Sequence, residues 1–96
     1  MLIARVIGTA VSTMKDEKLE GRKLLVLQQT DEYGKGSGKP FVAIDSVDAG
    51  VGDLVLTASG SSARQTTITK DRPVDTVIMA VIDSLEVEGK VTFRKS

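Results

Sequence analysis

The sequence predicts an all-β protein, a small closed barrel, and three observations predict it. The apolar segments are short and rich in Val and Ile, residue types that suit a pleated, half-buried surface. Clusters of Gly, Pro, Asp and Ser separate them, which is turn chemistry. The longest charged connection, Met14 to Gly21, offers no sustained apolar face to a helix. A chain of 96 residues is expected to form a single domain over 1–96, without room for a second core.

Taken in order, the first strand is expected over Leu2 to Thr13, with Gly8 near its middle marking a bend or bulge. Lys23 to Thr30 is the second strand, followed by a polar, glycine-rich loop from Asp31 to Lys39. Pro40 lacks a backbone donor and marks the start of the third strand, which runs to about Ile44. Val47 to Asp53 is a turn in which Gly50 and Gly52 are free to take positive φ. Leu54 to Ser59 is the fourth strand, and Ser61 or Ser62 could cap a helical turn through Ala63-Arg64-Gln65. Val74 to Val87 carries the fifth strand; Glu88-Gly89-Lys90 then turns into a terminal strand, Val91 to Lys95. The sum is a small OB-like five-stranded β-barrel with one short helix and a C-terminal β-hairpin.

Two runs need a further explanation. Val77 to Ile82 is apolar at six successive positions and Leu24 to Leu27 at four. Side chains alternate faces along a strand, so one wet face should show as alternation. A continuous run implies cover on the outer face too. In so short a chain the cover is assigned to another subunit; the alternative is the chain's own helical turn and loops.

Composition excludes several chemistries. There is no cysteine and no histidine, so thiolate ligands, disulfides, the usual general base and the commonest metal ligand are all missing. Thirteen basic and thirteen acidic residues cancel, against the clustered charge of an electrostatically driven nucleic-acid binder. Only Tyr33, Phe41 and Phe93 are aromatic, so the core must be built from Val, Ile, Leu and Ala. No apolar run approaches the roughly 20 residues that span a bilayer, and the N-terminus lacks the pattern of a signal peptide. The expectation is a cytoplasmic protein with no membrane and no nucleic-acid partner.

The remaining constellations are weak. In Gly34 to Lys39 a P-loop would need glycine where Tyr33 stands and Ser or Thr where Pro40 stands. Asp45, Asp48 and Asp53 surround a glycine turn without the order of a calcium loop; local capping of backbone N–H groups accounts for them. Ser61 and Ser62 have no neighbouring base. No catalytic residue, metal or cofactor is expected, and the chain reads as a non-enzyme. Gly60-Ser61-Ser62-Ala63-Arg64 remains as a contact element, where small residues allow close backbone approach and an arginine supplies donors.

An ordered set of segments then points to a family. It comprises Ala4-Arg5-Val6-Ile7-Gly8, Val11-Ser12-Thr13, Lys23-Leu24-Leu25-Val26, Val42-Ala43-Ile44-Asp45, Ala49-Gly50-Val51-Gly52-Asp53, Gly60 to Arg64, Pro73-Val74-Asp75 and Val81-Ile82-Asp83. In these, nearly end to end, the chain resembles the EutN/CcmL family of bacterial microcompartment vertex proteins, found in carboxysomes and in ethanolamine- or propanediol-degrading organelles. The resemblance implies a structural protein whose homopentamers plug the five-fold corners of a shell tiled by hexameric shell proteins. It places Gly60, Ser61, Ser62, Ala63 and Arg64 at subunit contacts or the axial pore, and leaves Asp45 and Asp53 as interface or turn residues. The reading from another class is an OB-like binding module for single-stranded nucleic acid or a protein ligand.

Overall fold

A computed structural model describes residues 1–11, 23–59 and 76–95. Seven strands are seen: β1 (Leu2–Ala10), β2 (Leu24–Thr30), β3 (Gly36–Asp45), β4 (Leu54–Ser59), β5 (Thr76–Val81), β6 (Ser84–Val87) and β7 (Lys90–Arg94). The first five close into a barrel in the order β1-β2-β3-β5-β4, with β4 returning to β1; β6 and β7 form a separate hairpin. All barrel pairings are antiparallel except β3 with β5, held by the pairs Ile44↔Val77 and Asp45↔Ile78. The described residues contain no helix; the helical turn expected through Ala63-Arg64-Gln65 lies outside them, as does Met14 to Gly21.

The strand boundaries follow the sequence with three differences. β1 ends at Ala10, short of the expected Thr13, where Val11 is fully exposed and packs against nothing among the described residues. β3 begins at Gly36 rather than Pro40, because Thr30 pairs with Gly36 and Gln28 with Pro40 across the hairpin. The Gln28 amide also donates to the carbonyls of Ser37 (2.8 Å) and Gly38, so polar, glycine-rich residues are held by backbone and side-chain hydrogen bonds without an apolar signal. The long segment expected over Val74 to Val87 is two elements, β5 and β6, separated by Ile82 and Asp83.

The expected bend in β1 is present as a register shift between Val6 and Gly8, with Ile7 as the extra residue. The bulge turns the strand's facing, since Val6 is buried and pairs with the inward Leu27, while Gly8 pairs with the outward Val26. The core is aliphatic, as composition requires. Ala4, Val6, Leu25, Leu27, Ala43, Ala49, Val55 and Ile78 are each at most 1% exposed, with Phe41, Val47 and Val81 packed against them.

The hairpin turns through Glu88 (φ 52) and Gly89 (φ 80), flanked by the pair Val87↔Lys90. Two positive-φ residues in a two-residue loop are the type I′ arrangement, whose twist matches the strands. In the β3–β4 connection, Gly52 takes φ 97 and Gly50 does not enter that region. The N–H of Asp53 closes the turn on the carbonyl of Gly50 at 3.0 Å, which puts Gly52 at the third position, where a type II turn requires positive φ.

Candidate subunit interface

Register determines which apolar side chains the barrel keeps and which it presents. On β2, Leu25 and Leu27 are buried, so Leu24 and Val26 point outward and are only partly covered. Val26 lies between Gly8 on β1 and Val42 on β3. Val42 is 48% exposed and Ile7, at the bulge, 47%. Met79 on β5 is exposed as well. The result is an apolar row across β1, β2 and β3 on the outside of the barrel. Of the two continuous runs, Leu24 to Leu27 alternates between buried and partly covered positions, while Val77 to Ile82 has Val77 and Ile78 buried and Met79 exposed. Elsewhere the outward Leu54 on β4 is buried within the chain itself, whereas Ile7 and Val42 stay uncovered.

A second feature ties β2 to the β3–β4 connection. The Asp45 side chain, 2% exposed, accepts the N–H groups of Val47 and Ala49, each at 3.0 Å. Lys23 Nζ lies 3.3 Å from Asp45 and 3.2 Å from Asp48, and also donates to the carbonyl of Ala49 at 3.1 Å. The bond to Asp48 is the main cause that raises the Lys23 pKa above its ordinary value, against a lowering by desolvation. This latch ties the start of β2 to the β3–β4 connection and permits Asp48 its positive φ of 58. Asp53 serves the same connection, accepting the N–H of Gly50 at 2.9 Å. Both carboxylates named from the sequence are thus engaged with their own loop.

A third feature fixes the hairpin to the barrel. Arg5, half-buried on β1, donates to the carbonyl of Gly52 at 2.9 Å and of Gly34 at 3.0 Å. Its guanidinium sits over the Phe93 ring, 5.8 Å from the centroid. Gly34 takes φ 79, and a Cβ there would come within 3.0 Å of the arginine and 3.3 Å of the ring, so the close approach needs glycine. The Thr92 hydroxyl adds a bond to the carbonyl of Glu32, and Lys95 Nζ lies 3.8 Å from Asp53. Phe93 therefore anchors the hairpin from outside the barrel. Asp31 holds the turn below it, accepting the N–H groups of Tyr33 and Lys35; these bonds, Lys35 first, lower its pKa.

Of the residues singled out from the sequence, Gly60, Ser61, Ser62, Ala63 and Arg64 lie outside the described residues. Sequence reasoning missed Arg5 and Lys23. Each contacts residues far along the chain, and no local spacing marks either one.

Comparison with known proteins gives a consistent set of similarities. The family described as ethanolamine utilisation protein EutN/carboxysome matches residues 1–83. The chain is 48% identical to the carboxysome shell vertex protein CcmL of Nostoc sp., over 99% of this chain and 95% of that protein. The solved structure of Gloeobacter violaceus CcmL superposes with a TM-score of 0.91 at 41% identity, covering 99% of this chain and 98% of that one. The GrpN pentameric microcompartment shell protein from Rhodospirillum rubrum gives a TM-score of 0.81 at 39% identity, covering 91% and 99%.

Proposed function

Because this chain belongs to the EutN/CcmL family, we propose that it is a structural shell protein whose homopentamers cap the five-fold vertices of a polyhedral bacterial microcompartment in the cytoplasm. The observation that carries this reading is the near-complete mutual coverage with CcmL at 48% identity. A head-to-tail contact closes into a ring when its rotation divides a full turn, and such a contact joins two different patches on each subunit. A five-fold piece among six-fold tiles supplies the curvature that closes a shell.

The outer row of Ile7, Val26 and Val42 is one half of that contact. A neighbouring copy covers the face that the chain leaves bare, as the continuous apolar runs require. Gly60 to Arg64 is assigned to the contacts near the five-fold axis, with Arg64 pairing to a carboxylate or carbonyl of the next subunit. Hexameric shell proteins are the outer partners. No step of the reading involves catalysis.

Native mass measurement on the purified protein tests it. The expected result is one closed species of five chains, each of 10.2 kDa. A stable monomer that binds oligonucleotide would sink the vertex reading in favour of an OB-like binding module. Ser62→Trp and Arg64→Glu should each reduce the pentamer while the β-rich circular dichroism persists. An unchanged oligomer mass in both would move the interface away from Gly60 to Arg64.

A further inference from the structure

Between the barrel and the hairpin lies a cleft of about 280 Å³, open to solvent and walled by Arg5, Gly52, Asp53, Phe93, Arg94 and Lys95. Its charge is lopsided. Three cationic side chains and one carboxylate line it, in a chain whose basic and acidic residues balance. The one carboxylate is shared, since Asp53 accepts the Gly50 N–H at 2.9 Å through one oxygen and pairs with Lys95 at 3.8 Å through the other. Arg5 has no carboxylate within ion-pair distance among the described residues.

The position of Arg5 is set in advance. Two carbonyls and the Phe93 ring hold its guanidinium, and those two bonds use only part of its five N–H donors. A half-buried cation held by neutral carbonyls has, among the described residues, no counter-charge. Arg94 and Lys95, both exposed, add further cationic donors to its lining. A planar fork fixed in place beside exposed cations suits a small oxyanion of the phosphate or carboxylate type. The volume holds such a group with several waters, each occupying about 30 Å³.

We propose that this cleft is an oxyanion-binding site, taking a small dissolved phosphate- or carboxylate-type anion between Arg5, Arg94 and Lys95. The site goes beyond the vertex reading and is argued without it, from lining residues that all belong to one chain.

Titration of the full-length protein with inorganic phosphate, at ionic strength held constant with sodium chloride and followed by NMR shifts of Arg and Lys side chains, tests the site. The wild type should saturate at one phosphate per chain. The double variant Arg94→Gln/Lys95→Gln should bind roughly tenfold or more weakly, the equivalent of one charge-assisted bond, at unchanged oligomer mass and melting temperature. Asp53→Asn removes the competing carboxylate and should tighten binding, an effect that misfolding cannot mimic. Lys90→Gln, at the hairpin turn and outside the cleft, should bind like the wild type. Unsaturable shifts in the wild type, undiminished binding in the double variant, unaltered binding in Asp53→Asn or an equal loss in Lys90→Gln would each overturn the proposal.

Discussion

At Asp45 a single carboxylate does the work of a cap, accepting two backbone N–H groups and a lysine while almost wholly buried. Its removal leaves buried donors without partners. Asp45→Ala is therefore expected to lower stability by about 2 kcal/mol or more, read as a shift in urea midpoint at constant slope. Against a total of roughly 5–14 kcal/mol for a chain this size, that is a large loss. Two glycines separate conformational strain from contact. Gly89 and Gly34 both take φ near 80, yet a Cβ meets nothing at Gly89 and meets Arg5 and Phe93 at Gly34. Gly89→Ala should cost about 1–2 kcal/mol; Gly34→Ala should cost more, and a thermal melt of both orders them. Asp31 adds a pH term. Its pKa is lowered in the folded state by the N–H groups of Lys35 and Tyr33. Its contribution is therefore present above the ordinary aspartate value and lost as pH falls through the folded one. In an Asp31→Ala variant the acid limb of a stability–pH curve should be flatter than in the wild type.

Among elements, the hairpin is the informative one. A lone two-stranded hairpin is marginal in water, and β6–β7 shares no ladder with the barrel. Its position depends on Arg5, on Phe93 beneath it and on the bond from Thr92. Arg5→Leu removes charge-assisted bonds worth roughly 1.5–3 kcal/mol. Amide exchange over 84–94 should accelerate about ten- to a hundredfold, while β1 and β2 keep their protection. Equal acceleration in both regions would mean that Arg5 supports the whole barrel. The strands themselves were largely legible in the sequence. Leu54 to Ser59 agrees at both ends, because apolar residues flank clear turn chemistry there. Gly36 to Lys39 was not legible as strand, because cross-strand pairing and the Gln28 amide hold it without an apolar signal.

For the whole molecule, the apolar row of Ile7, Val26 and Val42 is what a single chain leaves unfinished. Val42→Arg adds a desolvated charge to a contact but only an exposed side chain to an isolated barrel. The pentamer should be lost in native mass spectra, with the melting of the free subunit within about 0.5 kcal/mol of the wild type. Retention of the ring would place the contact on another face. By itself the sequence determined the aliphatic core, the all-β class, the absence of histidine and cysteine chemistry, and a family signature spread over most of the chain. These are properties of composition and of local period. Only the tertiary structure decided which apolar side chains face out, since the bulge at Ile7 changes the facing of β1. It also decided that Arg5 meets Phe93 and that Lys23 meets Asp45. Those pairings join residues distant along the chain: the β2–β3 register sets Lys23 against Asp45, and docking of the β6–β7 hairpin sets Phe93 against Arg5, neither of which a local spacing encodes.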